Sequence, residues 1–192
     1  MENRFSKSAP LVGVLAIQGD YSAHISILRG LGAKVREVRK SEDIDDITHL
    51  IIPGGESTTI RKVAYEDGYW DKLAQFPGPV MGTCMGSILM ATDIENPKSI
   101  GWGMLDITIK RNAYGRQVHS FTDYGKIALS DEPFEMIFIR APKITRIGED
   151  VKPIAWLGNE ITGVISGNKI ALTFHPELSA DYIFHKHFLG LE

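Results

Sequence analysis

The chain carries a single cysteine among its 192 residues. An internal disulfide is therefore excluded, and the Cys84 thiol persists only in a reducing compartment, which implies a cytoplasmic protein. Basic clusters are missing too: no run of Lys and Arg stands out, and the formal net charge is −3. Nucleic acids and anionic membranes both demand a concentrated positive face, so neither is expected as the main partner. Long apolar runs are absent. Stretches such as Leu11–Ile17 and Ile88–Ala91 fall far short of the roughly 20 residues that cross a bilayer. Met1–Pro10 lacks the apolar core of a secretion signal and reads as a polar extension frayed from the fold. No Cys/His spacing suits zinc and no P-loop or dinucleotide fingerprint occurs, so neither metal nor cofactor is expected. Repeats, low-complexity tracts and linkers are lacking as well, and a hydrophobic fraction of 43% against 23% charged fits one globular domain over residues 11–192.

The first part of the chain alternates strand and helix signals. An apolar run at Leu11–Ile17 precedes a helical segment at Ser22–Leu31 closed by Gly32; a β-rich Lys34–Val38 follows, then Leu50–Ile52 before a glycine turn. This rhythm predicts an α/β three-layer sandwich with a mostly parallel central sheet, its functional groups gathered at the carboxyl ends of strands. Two such ends are Leu50–Ile52 before Pro53-Gly54-Gly55, and Val80-Met81 before Gly82-Thr83-Cys84. From Leu105 onward short strands dominate: Leu105–Ile109, Lys126–Leu129, Met136–Ile139, Ile154–Leu157, Ile161–Ile165 and Ile170–Phe174. Gly167-Asn168 reads as a hairpin turn, so these strands add antiparallel pairs to the parallel core. A last helix is expected at Ala180–Leu189, ending at Gly190.

A lone cysteine is ordinarily an inert core side chain. Cys84, however, sits in Gly82-Thr83-Cys84-Met85-Gly86, after an apolar strand and before a helical segment at Ser87–Thr92. That is the strand, sharp turn and helix of a nucleophile elbow, with glycines where side chains would collide. Unpaired N–H groups at the helix start favour the thiolate, and the Met85 N–H is placed to face an oxyanion. A base is supplied by His175-Pro176-Glu177 after the strand Ile170–Phe174. If this segment is extended, residues two apart point the same way, so Glu177 orients the His175 ring while its other nitrogen exchanges a proton with Cys84.

The other histidines offer less. His185 and His187 are two apart on a helix, hence on different faces, and read as surface residues; His24 and His49 flank core elements without chemical neighbours. Asp43, Asp45 and Asp46 form a solvated loop or helix start rather than a metal site. Gly54–Thr59 is a glycine turn leading into a helix, explained equally by a Ser/Thr helix cap and by a backbone nest in which Glu56 disfavours phosphate but suits an ammonium group and Gly55 offers a second oxyanion donor. Arg111 and Arg140 each end an apolar segment and are suited to hold a carboxylate.

Together, the cysteine in G-x-C-x-G and the late H-P-E resemble the class I, or triad, glutamine amidotransferases, whose sheet is flavodoxin-like. Pro53–Thr59 (PGGESTT), Arg111–Gln117 (RNAYGRQ), Phe138–Pro142 (FIRAP) and Phe174–Leu178 (FHPEL) are similar to one branch, the glutaminase subunits of pyridoxal 5'-phosphate synthase. The resemblance runs from about Leu11 to the end. It implies that Cys84, His175 and Glu177 catalyse glutamine hydrolysis, that Gly55, Glu56, Ser57, Arg111, Ile139 and Arg140 bind glutamine, and that Gly55 and Met85 form the oxyanion hole. Gln18 and Gly19 would lie near the contact with a synthase subunit, the partner that consumes the ammonia within a large hetero-oligomer. Met85, Ser87 and His119 depart from the branch without removing a reacting group. Two rivals remain at this stage: an elbow-cysteine hydrolase acting alone on peptides or small aldehydes, and a non-catalytic regulatory subunit.

Overall fold

Hydrophobic alternation and turn chemistry yield the following elements in a computed structural model that describes residues 9–55, 69–113 and 120–191. The first half contains β1 (Leu11–Leu15), α1 (Tyr21–Gly30), β2 (Lys34–Val38), β3 (His49–Ile52), α2 (Trp70–Ala74), β4 (Val80–Thr83) and α3 (Met85–Met90). Short strands β5 (Ala91–Glu95), β6 (Ser99–Ile100) and β7 (Leu105–Lys110) follow. The second half brings β8 (Ser120–Ile127), β9 (Ser130–Ile139), β10 (Lys143–Ile147), β11 (Lys152–Leu157), β12 (Glu160–Ser166), β13 (Lys169–Leu172) and α4 (Ile183–Phe188). Single 3-10 turns cover Ser41–Ile44 and Pro176–Leu178. Among the described residues no helix is long and apolar enough to cross a membrane.

The main sheet runs β2-β1-β3-β4-β13-β12-β11-β8-β9. Pairings from β2 through β13 are parallel and those from β13 to β9 antiparallel, so the expected mixture of a parallel core and antiparallel additions is present. A second sheet, β10-β7-β5-β6, packs beside it. Because side chains alternate along a strand, the central strands feed two separate cores. Leu50 and Ile52 of β3 join α2, α3 and the second sheet, whereas Ile51 and Met81 join α1, α4 and the β8/β9 hairpin. At the end of α1, Gly32 adopts φ +85° and the Ala33 N–H returns to the Leu28 carbonyl, which stops the helix as the sequence indicated.

Several expected boundaries shift. Lys126–Leu129 is not a strand of its own: β8 ends at Ile127, and Ala128-Leu129 is the turn of a long hairpin whose second strand already starts at Ser130. Pro133 lies within β9, which its position at the sheet edge permits. The helix after Cys84 begins at Met85 and ends at Met90, and Ala91-Thr92 opens β5 instead of continuing it. The last helix is shorter than Ala180–Leu189: it begins at Ile183, whose N–H is taken up by Asp181 Oδ1 at 3.0 Å, and ends at Phe188. Asp43 takes up two backbone N–H groups, of Arg39 and Lys40, beside the 3-10 turn that begins at Ser41, while Asp45 and Asp46 are exposed. The expected extension falls mostly on residues 1–8, outside the described residues, as do Glu56, Ser57 and His119.

Candidate active site

Cys84 stands in the turn between β4 and α3 with φ +48° and ψ −107°, a conformation that an L residue adopts only under constraint. The constraint comes from both sides. Its N–H donates to the Leu172 carbonyl of β13 at 2.8 Å, and its own carbonyl accepts from the Ser87 N–H at 3.2 Å and the Ser87 hydroxyl at 2.6 Å. The glycines that flank it are sterically required: a Cβ on Gly86 would lie 1.9 Å from the Ile52 carbonyl oxygen, and one on Gly82 would lie 2.8 Å from the Gly86 backbone. Ser87 thus clamps the strained turn. Met85 is the first residue of α3, where an N–H lacks an intrahelical acceptor and is available to an oxyanion.

His175 follows β13, its N–H bonded to the Ile137 carbonyl of β9 at 2.9 Å. Its Nδ1 lies 2.7 Å from Glu177 Oε1, and both side chains are buried. The pairing expected from sequence is present, but not through an extended segment. Pro176–Leu178 form a 3-10 turn that folds Glu177 back beneath the ring. Burial alone would lower the His175 pKa; hydrogen bonds to Cys84 and Glu177, and the negative charge of both, push it up to about 10. For Glu177 burial opposes ionisation, yet His24 and His175 outweigh it and hold the carboxyl well below the usual range. In its thiol form Cys84 can also donate to the Ile139 carbonyl, 3.5 Å from Sγ.

A cavity of about 550 Å³ opens at these strand ends. Cys84 and His175 line it, as do Gly55, Met85, Arg111, Ile139, Arg140, Gln18 and Gly19. The described sequence-predicted residues other than Glu177 therefore meet in one place, and Glu177 lies behind His175. Among the described residues four non-glycines have positive φ, and three of them, Cys84, Asn112 and Arg140, line this cavity. Backbone strain concentrated around one cavity makes it the candidate functional site. The cavity combines a thiol, two guanidinium groups and backbone of a glycine turn, which suits a small substrate with a carboxylate and an electrophilic carbonyl. Asp20 lines it too, its carboxylate within 4.8 Å of ligand atoms of His175 and Glu177. Sequence reasoning missed Asp20 and gave Gly54 and Asn112 no role of their own within the segments Gly54–Thr59 and Arg111–Gln117, although each adjoins a predicted residue.

Two histidine assignments require correction. His24 does have chemical neighbours: it is wholly buried, Nδ1 lying 2.9 Å from His185 Nε2 and Nε2 lying 3.2 Å from Thr83 Oγ1 and 3.3 Å from Glu177 Oε2. His185 is likewise buried and not a surface residue; burial, with His24 beside it, pushes it down to about 3. Helical spacing held the signal. His24 shares the apolar stripe of Tyr21, Ile25 and Leu28, and His185 that of Phe184 and Phe188. His187 does point to a different face and is half-buried.

The SNO glutamine amidotransferase family matches residues 14–191. The pyridoxal 5'-phosphate synthase subunit PdxT of Deinococcus radiodurans is 46% identical over 188 residues, covering 94% of this chain and 96% of the relative. The protein of the same name in Thermococcus gammatolerans is 44% identical over 190 residues, with 93% and 96% covered. A crystal structure of a glutamine amidotransferase superposes with a TM-score of 0.86 at 42% identity, covering 94% of this chain and 97% of that one. A chain of PurLQS from Thermotoga maritima, with a TM-score of 0.71, 17% identity and 96% and 100% covered, shares the fold.

Proposed function

The chain belongs to the SNO glutamine amidotransferase family, and on that premise we propose that it hydrolyses L-glutamine to L-glutamate and ammonia. The ammonia passes to a synthase subunit for pyridoxal 5'-phosphate (vitamin B6) synthesis, the complex named for its relatives. The observation that carries this reading is a strained, buried cysteine beside a His–Glu pair, at the edge of a cavity that also holds two arginines.

In this reading the Cys84 thiolate attacks the side-chain carbonyl carbon of glutamine, forming the C–S bond. The N–H groups of Gly55 and Met85 take up the negative oxygen. His175, protonated as its raised pKa favours, gives its proton to the nitrogen, the C–N bond breaks and ammonia leaves. Water then loses a proton to His175 and adds its oxygen to the thioester; glutamate departs and the thiolate returns. Glu177 keeps Nδ1 of His175 as the donor nitrogen, which leaves Nε2 for proton transfer. Arg111 and Arg140 hold the substrate carboxylate, Gly55 and Ile139 line its chain, and Glu56 and Ser57 complete the set. Gln18 and Gly19 at the rim meet the synthase subunit in a hetero-oligomer; a lone thiol, which lasts only where it stays reduced, supports a cytoplasmic reaction.

Cys84→Ala tests the assignment. With the synthase subunit present, glutamate release should vanish while the melting temperature stays near that of the parent chain. Ammonia production at the parent rate would show that another group carries the reaction.

A further inference from the structure

The proposed triad accounts for one oxygen of Glu177. The other, Oε2, is buried and makes no hydrogen bond among the described residues; the His24 ring stands against it, with Nε2 3.3 Å away. A carboxylate with one naked oxygen at that depth is costly unless a donor faces it. His24 is the group placed to serve as that donor. Its Nε2 lies 3.3 Å from Glu177 Oε2 and is hydrogen-bonded to Thr83 Oγ1 at 3.2 Å, so one ring nitrogen faces both the third member of the proposed triad and the residue that precedes the nucleophile. Four elements, α1, β4, the 3-10 turn at Pro176–Leu178 and α4, converge on this one ring.

The proton positions follow from His185. Its ring is neutral at ordinary pH, and its Nδ1 has no partner among the described residues. A proton on Nδ1 would be a buried orphan donor, so the proton sits on Nε2 and is donated to His24 Nδ1 at 2.9 Å. His24 Nδ1 accepts, which leaves the His24 proton on Nε2, the nitrogen that faces Glu177 Oε2 and Thr83 Oγ1. Donation therefore runs one way, from His185 to His24 to Glu177, and meets the His175 Nδ1–H coming from the other side at Oε1.

Resting on the triad reading above, we propose that His24 is a positioning residue: it fixes Glu177 against the elbow strand so that the carboxylate meets His175, and His185 sets the tautomer that lets it do so. His24 does not line the cavity, so substrate affinity is not its task. Its loss frees the carboxylate to rotate and weakens the hold on His175, which lowers kcat and spares KM.

The test compares two polar variants of similar size. His24→Gln places an amide N–H where Nε2 was and keeps the contact to Glu177; His24→Asn matches Nδ1, retains the contact to His185 and loses Glu177. With the synthase subunit and saturating glutamine, His24→Gln should keep kcat within about threefold, and His24→Asn should lose at least about tenfold at a KM within twofold. A merely structural role would lower the melting temperature of both variants without this split. Equal kcat values in the two variants, or losses that appear in KM, overturn the proposal while leaving the glutaminase reading intact. If the parent chain does not turn over glutamine, that reading fails instead. The proposal is then decided by iodoacetamide: alkylation of Cys84, the single thiol, should be several-fold slower in His24→Asn than in His24→Gln, and equal rates would refute it.

Discussion

Replacing Gly54 with alanine puts one methyl group against His175, the base of the proposed triad. A Cβ built there lies 2.5 Å from His175 Cε1 and 3.4 Å from both His175 Nδ1 and Cys84 Cβ. Carbon atoms pack at about 3.5 Å or more, so the imidazole must retreat by about 1 Å. It cannot do so freely, because it is buried and tied to Glu177 at 2.7 Å. Gly54 itself is not in the left-handed region, so alanine brings no backbone strain and the perturbation is confined to the ring. A displacement of that size costs about 100-fold where reacting groups must be aligned, or about 2.7 kcal/mol of barrier. Glutamate release with the synthase subunit present should therefore fall about 100-fold in kcat, with the folded signal in circular dichroism retained. Gly55 would not serve, since its φ of +144° adds strain to any substitution. A folded Gly54→Ala protein with kcat within threefold of the parent would refute the contact argument and the placement of His175 with it.

Gly86→Ala should instead act on stability: its Cβ would overlap the Ile52 carbonyl oxygen, neither backbone can yield cheaply, and a loss of about 3 kcal/mol should appear as a lower urea midpoint. His185 should make the chain acid-sensitive. Its folded pKa, about 3, lies below the unfolded value of 6.5, so the unfolded state binds more protons as pH falls below 6.5 and stability drops from there toward pH 3. Between pH 7 and 5 that contributes about 2 kcal/mol, and His185→Met, which cannot titrate, should show a correspondingly shallower fall in urea unfolding.

Local pattern carried the fold class and the segments that line the cavity, and stopped at the contacts between them. The elbow at Gly82–Gly86 was legible because a sharp turn tolerates so few side chains, and His175-Pro176-Glu177 because two reactive types stand at a strand end. The geometry between them was not legible: extended spacing was the expected cause, and a 3-10 turn is the actual one. Lys126–Leu129 misled because apolar residues at the end of a hairpin strand and in its turn resemble a separate short strand. His24 and His185 are not legible from their chain neighbours, because each is answered by a residue from another helix. Their place on apolar helix faces was visible; what met them there was not.

The sequence by itself determined the kind of chemistry and the alternation of the core, since both depend on residue type and spacing within a few positions. Only the tertiary structure decided that β4 and β13 lie side by side, bringing Cys84 and His175 to one cavity, and that α1 sets His24 against Glu177 while α4 sets His185 against His24. Those are contacts between segments far apart in the chain. Burial and strand order select them, and no short stretch of sequence encodes either.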